Sequence, residues 1–297
     1  MTDFLKKYNY LPSKDKIDGD LTRIAENLAS VRSEKALKDC FSMMDLTTLK
    51  TNDTVASVER LVGKVNDFAR EYPDYPLPAS VCVYPNFASV VRRTRKDSQL
   101  HATVVSACFP SSQSFLEVKV KESEMAVEQG ADEVDIVLAL NHFLVGEYDQ
   151  AAAEIVAVRQ AVDRVAASQG RKVILKVILE TGLLQSLESI AAASCLAMEA
   201  GADFIKTSTG KVDVNATPIA AYVMCECIKV FYAATGRKVG FKPAGGMSTA
   251  SDALSYYSIV STVLGKEWLN RDLFRFGVSR MANNLLSEIE GRTVTFF

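Results

Sequence analysis

Glu199-Ala200-Gly201-Ala202-Asp203-Phe204-Ile205-Lys206-Thr207-Ser208-Thr209-Gly210-Lys211 (residues 199–211) carries a helix end, a short strand and a glycine-bearing loop in one run. Gly201 reads as the stop of the alanine-rich stretch 186–200, and Phe204, Ile205 and the β-branched Thr207 favour extended backbone. Glu128-Gln129-Gly130-Ala131-Asp132 repeats the device at another helix-to-strand junction. Eight apolar or β-branched runs are predicted as strands, near 41–46, 79–84, 102–109, 133–140, 172–179, 203–208, 238–243 and 273–278. Helical stretches follow, as at 53–70, 114–129, 147–168, 186–200, 216–235 and 249–264. Alternation implies parallel pairing, and eight units favour a closed (β/α)8 TIM barrel over an open doubly wound sheet.

The 297 residues suffice for such a barrel, and no composition shift or Pro/Gly/Ser linker divides the chain after residue 38. The expected organisation is an N-terminal helical extension at 1–37 and a single barrel domain at 38–297. Within the extension Leu21, Ile24, Leu28 and Val31 fall at helical spacing behind Asp20, read as an N-cap. That stripe is expected to cover the end of the domain or to join a dimer contact. Ser114 with Glu117 reads as a capping box, and Asp53 as a cap.

A net charge of −2 argues against a nucleic-acid partner, because phosphate-backbone recognition relies on a basic surface. The N-terminal residues contain no apolar run of signal-peptide length, and no stretch approaches the roughly 18 residues of a membrane span. The expectation is a cytoplasmic protein without a membrane partner, acting on a small molecule. Cysteines 40, 82, 108, 195, 225 and 227 fall inside predicted elements, which favours free buried thiols over disulfides. Cys225 and Cys227 lack a partner pair, and His101 and His142 sit in no ligand motif, so no metal is expected.

Lys206 is placed within an apolar strand, and Lys242 ends a second apolar run, Val239-Gly240-Phe241-Lys242. A strand-end lysine can snorkel to water, but two such lysines, each beside glycines, point to chemistry. Burial disfavours an ammonium and a second ammonium disfavours it further, so the pair favours a free amine able to form a Schiff base with a carbonyl. Asp135, among apolar neighbours, is a candidate to balance one lysine and shuttle protons. Lys176 and Glu180 share a face by period two and read as an internal ion pair orienting the site. Three loops, Ser208-Thr209-Gly210-Lys211, Ala244-Gly245-Gly246-Met247-Ser248 and Gly277-Val278-Ser279-Arg280, offer glycine backbone and cations for a phosphate. Barrels commonly hold phosphate beside strands seven and eight.

Met44-Asp45-Leu46-Thr47, Ala131-Asp132-Glu133-Val134-Asp135, Leu175-Lys176-Val177-Ile178-Leu179-Glu180-Thr181-Gly182, the run Asp203 to Lys211 and the run Gly240 to Gly246 together closely resemble the deoxyribose-phosphate aldolases, over about Asp45 to Ser279. The resemblance implies a class I aldolase on a (β/α)8 barrel that needs no cofactor. Its reaction is the reversible cleavage of 2-deoxy-D-ribose 5-phosphate to acetaldehyde and D-glyceraldehyde 3-phosphate. It makes Lys206 the Schiff-base lysine, with Lys242 lowering its pKa and Asp135 acting with Lys242 and a water in proton transfer. Lys211, Gly210, Gly245, Gly246, Gly277 and Ser279 are implied to hold the 5-phosphate, and Asp45 and Thr47 to sit near the sugar hydroxyls. Many members carry an arginine soon after Gly-Gly and a second serine after Gly-x-Ser, where this chain has Ser248 and Arg280. Arg280 is therefore expected to replace the missing arginine. Some members end in a tyrosine tail that reaches the site, whereas this chain ends Thr293-Val294-Thr295-Phe296-Phe297. Rival readings are another Schiff-base phosphosugar aldolase or transaldolase, or a non-catalytic phosphosugar-binding barrel. Self-association into a homodimer or larger homo-oligomer is also open to such a chain.

Overall fold

A computed structural model describes residues 3–297, so Met1 and Thr2 of the expected extension lie outside the described residues. Among the described residues, eight strands run parallel: β1 (Met44–Thr47), β2 (Ser80–Val83), β3 (His101–Val105), β4 (Glu133–Val137), β5 (Ile174–Ile178), β6 (Phe204–Lys206), β7 (Gly240–Lys242) and β8 (Phe276–Val278). Their order in the sheet is β7-β6-β5-β4-β3-β2-β1-β8. The two ends of that order meet, with the Phe241 amide donating to the Leu273 carbonyl at 2.9 Å and the Gly277 amide to the Pro243 carbonyl at 2.9 Å. The sheet is thereby a nearly closed barrel, as the eightfold alternation predicts.

The helices are α1 (Asp3–Lys7), α2 (Lys14–Glu26), α3 (Leu28–Val31), α4 (Glu34–Ser42), α5 (Val55–Glu71), α6 (Ala88–Thr94), α7 (Leu116–Glu128), α8 (Leu140–Phe143), α9 (Tyr148–Ser168), α10 (Leu187–Glu199), α11 (Pro218–Thr235), α12 (Ala250–Val263) and α13 (Met281–Glu290). Val134, Ile136, Val177 and Ile205 face this shell and join one apolar core with it, which is why the strands are apolar on alternate positions. The opposite positions turn into the barrel, and there the sequence places its charges.

Several sequence expectations are corrected. Asp20 lies in the middle of α2, whose N-cap is Ser13; its carboxylate accepts the Tyr222 hydroxyl and pairs with Arg23. α2 packs on α11 and α12, so the surface covered by its buried Ile17 and Ile24 is the outer side of the helical shell. α7 begins behind Phe115 with no side-chain cap, so Ser114 and Glu117 form no capping box. The cap of α5 is Thr54, in a capping box with Ser57, while Asp53 accepts the Thr48 hydroxyl and the Lys50 amide. Residues 41–42 end α4 instead of opening β1. β3 stops at Val105, because Ala107 and Cys108 turn to φ values of 54° and 59° and the Cys108 amide is tied to Glu122 at 2.7 Å. Finally, α11 has the 18 residues and apolar composition of a membrane span, although no such stretch was expected. Its apolarity is explained by packing, since it lies between α10 and α12 with α2 across it.

Candidate active site

Period-two alternation along β4 aims both Glu133 and Asp135 into the barrel, and the neighbouring strands answer with cations. Asp135 and Lys176 are register partners, as are Lys206 and Lys242. One carboxylate binds three lysines: Asp135 Oδ1 accepts from Lys176 Nζ at 2.9 Å, and Oδ2 accepts from Lys206 Nζ at 2.9 Å and Lys242 Nζ at 2.8 Å. Lys242 also pairs with Asp45, and Lys176 with Glu133. Arg275, just ahead of β8, bridges Asp45 at 2.7 Å and Glu133 at 2.7 Å. Lys206 keeps 4% of its surface exposed, while Asp45, Glu133, Asp135, Lys176, Lys242 and Arg275 keep none.

The electrostatics separates the lysines. Burial pushes the Lys206 amine below the ordinary lysine range, and although Asp135 pulls it back up, the neighbouring Lys242 charge adds to the lowering. Burial acts on Lys242 too, but Asp135 and Asp45 outweigh it and hold this ammonium above the ordinary range. Burial opposes ionisation of Asp135, and Lys176, Lys206 and Lys242 together overcome it and keep the carboxyl well below its usual range. The expectation that both lysines tend toward free amines is thus corrected for Lys242, which has two carboxylates where Lys206 shares one.

Above this charge cluster lies a cavity of about 330 Å³. Lys206 and Thr47 reach it, and Gly210, Lys211, Gly245, Gly246, Gly277 and Ser279 form its far wall. Asp45, Asp135, Lys176 and Lys242 lie beneath and do not line it, and neither does Arg280, whose side chain is exposed. Gly245 adopts φ +77°, and a Cβ there would stand 2.6 Å from Asn215 Oδ1, so both backbone and space demand glycine. Among the described residues, the Gly210 and Gly246 amides donate to no protein acceptor, and α13 begins just behind Ser279. Free amides, a helix N-terminus and Lys211 make this wall suited to a phosphate. Lys211 Nζ is steadied by the Leu49 carbonyl at 2.8 Å.

Lys176 and Glu180 do not pair. β5 ends at Ile178, and Glu180 turns into the left-handed region at φ 54°, where it accepts the Thr209 amide at 3.1 Å and hydroxyl at 2.5 Å. It shapes the loop after β6 instead of orienting Lys176. The C-terminal residues 293–297 fold back along α13, with the Phe297 amide donating to Asn283 at 2.8 Å and the Phe296 and Phe297 rings against Phe68. They do not line the cavity. Sequence reading missed Glu133, Arg275 and Asn215. The first two carried the signal that marked the lysines, a charge at inward period two within an apolar run. Asn215 had none, because its place under Gly245 is a long-range contact.

The profile of the DeoC/LacD aldolase family matches residues 40–261. The deoxyribose-phosphate aldolases of Mus musculus and Homo sapiens are each 38% identical to this chain, over 90% of it and 86% of their own length. A solved structure described as a tetrameric deoxyribose phosphate aldolase from Aeropyrum pernix is similar in fold, with a TM-score of 0.65 and 22% identity over 93% of this chain and 98% of that one.

Proposed function

The chain belongs to the DeoC/LacD family of aldolases, and from that premise we propose that it is a deoxyribose-phosphate aldolase working through a Schiff base on Lys206. The observation that carries this reading is that Lys206 is the one buried lysine of the cluster that reaches the cavity, and burial pushes its amine toward neutrality while Lys242 is held charged. The neutral amine adds to C1 of the open-chain sugar, and loss of water gives the iminium. Removal of the C3 hydroxyl proton sends the C2–C3 bonding electrons into the iminium. That leaves an enamine on Lys206 and releases C3 as the aldehyde of glyceraldehyde 3-phosphate. Protonation of the enamine at C2 and hydrolysis free acetaldehyde and the amine.

Asp135 and Lys242, with a water, carry these protons, a role supported by the oxygen that Lys206 and Lys242 share. Lys176 holds the other oxygen of Asp135 and so fixes its orientation. The 5-phosphate lies against Gly210, Lys211, Gly245, Gly246, Gly277 and Ser279, with Arg280 approaching from outside, and Thr47 sits toward the hydroxyls, whereas Asp45, buried beneath the cavity and paired with Lys242 and Arg275, acts through those cations instead of touching the sugar. A cytoplasmic, self-associating protein belongs to the same reading; sedimentation as a single chain would remove self-association.

Borohydride reduction with 2-deoxyribose 5-phosphate, followed by peptide mass mapping, tests the assignment. The expected adduct is on the Lys206 peptide. An adduct on Lys242 or Lys176 would reassign the nucleophile, and no adduct on folded, sugar-binding protein would leave only a binding protein.

A further inference from the structure

The carboxylates, lysines and arginine inside the barrel can be counted against one another. Three carboxylates, Asp45, Glu133 and Asp135, face four cations, Lys176, Lys206, Lys242 and Arg275. All but Lys206 are fully buried. Were every cation charged, one positive charge would be left over in a buried, low-dielectric space, where an uncompensated charge is costly. The contacts say which cation is in excess. Arg275 holds Asp45 and Glu133, Lys176 holds Glu133 and Asp135 and stands 3.9 Å from Asp45, and Lys242 holds Asp45 and Asp135. Among the described residues Lys206 has only Asp135, on the oxygen already bound by Lys242.

We propose that Arg275, which does not line the cavity, is a positioning residue that occupies Asp45 and Glu133 so that Lys206 is left as the cation without a carboxylate of its own. The proposal rests on Lys206 being the Schiff-base amine. A guanidinium suits the task, because it spans two carboxylates in a fixed fork and does not itself lose a proton. The Phe204 ring packs against it, 5.8 Å from ring centroid to guanidinium carbon, and its Nε donates to the Arg271 carbonyl, so its position is fixed from both sides. The groups facing Lys206 are Asp135 from β4, Lys242 from β7 and the Cys82 thiol from β2. Those facing Arg275 are Asp45 from β1, Glu133 from β4 and the Arg271 charge. His101 on β3 meets Glu133 from the other side at 2.6 Å.

The count makes signed forecasts. Arg275→Met removes a cation, so Lys206 becomes a needed counterion and keeps its proton to higher pH. Glu133→Gln removes an anion and does the opposite. The double variant restores the balance. One charge on the order of 10 Å away, at an effective dielectric near 20, moves the titration by about one pH unit.

The experiment is the initial rate of borohydride trapping of 2-deoxyribose 5-phosphate on Lys206 across pH, for wild type, Arg275→Met, Glu133→Gln and the double variant. Arg275→Met is expected to move the acid limb up by about one unit, Glu133→Gln to move it down by about one, and the double variant to return it. Arg275→Lys, which keeps the charge, is expected to stay near wild type. An acid limb unmoved in Glu133→Gln overturns the proposal even if Arg275→Met does not fold, as does a loss of amplitude at every pH with the limb in place. Wild-type protein trapped elsewhere than on Lys206 would instead refute the Schiff-base assignment.

Discussion

Replacing Lys242 by methionine removes an ammonium and keeps an unbranched chain of similar length, so the barrel loses a charge and little volume. Lys206 and Lys242 donate to the same oxygen of Asp135, over 2.9 and 2.8 Å. Their nitrogens therefore stand at most about 5.7 Å apart, and at an effective dielectric near 20 two like charges at that distance repel by about 3 kcal/mol. That is about two pKa units, so Lys242→Met is expected to raise the Lys206 amine by about two units. The sign is reinforced by Asp135, whose Oδ2 is left to Lys206 alone once Lys242 is gone. Wherever the pH lies below the wild-type value, the reactive amine falls by about 100-fold, and the loss shrinks as the pH approaches the new value. The assay is the pH dependence of kcat/KM for 2-deoxyribose 5-phosphate cleavage, read beside the borohydride-trapping rate on Lys206. Loss of proton transfer lowers the plateau, whereas loss of repulsion moves the acid limb, and the two are read separately. If the limb stays in place while the plateau drops, the electrostatic account of Lys206 is wrong.

At the phosphate end, Gly245→Ala puts a Cβ at φ +77° and 2.6 Å from Asn215 Oδ1, and is expected to raise KM for 2-deoxyribose 5-phosphate by about tenfold. Arg280→Ala is expected to raise the same KM a few-fold; for both variants, KM for unphosphorylated 2-deoxyribose measured in parallel should not change, and equal changes would disprove the phosphate assignment. Asp45, Glu133 and Asp135 are each held below their ordinary values of 3.8, 4.5 and 3.8; burial opposes this and the paired lysines and Arg275 prevail. The unfolded chain therefore binds more protons, so the stability they contribute is present above about pH 4.5 and is lost as pH falls below it. Urea midpoints from pH 7 to pH 3 should show that fall, and Glu133→Gln should start lower, by about 3–5 kcal/mol of a broken buried pair, yet fall less steeply with acid; a parallel fall would contradict it.

The alternation of short apolar runs with helical stretches was enough for eight strands and their parallel sense, because period two and period 3.6 are local properties of the chain. Boundaries were less legible. Ser114, Asp53 and Asp20 all have capping chemistry, but Thr54 took the position beside Asp53, α7 starts behind the apolar Phe115 with no side-chain cap, and α2 starts well before Asp20, at Ser13. Lys176 and Glu180 share a strand face on paper, yet the strand ends before Glu180 and the left-handed turn swings that carboxylate to Thr209. Glu133 and Arg275 lay in plain view as charges in apolar runs, on the same signal that marks Asp135 and the lysines.

The sequence alone determined which side chains enter the barrel, because alternation along a strand leaves no other direction for Asp135, Lys176, Lys206 and Lys242. It also determined the glycine wall, because positive φ at Gly245 and Gly246 excludes most other residues. Only the tertiary structure decided who pairs with whom. Asp45 and Arg275 are 230 residues apart, and Lys242 and Asp135 are separated by 107. Closure of the barrel brings them within hydrogen-bond reach in its buried interior, and there the number of carboxylates, smaller by one than the number of cations, singles out Lys206.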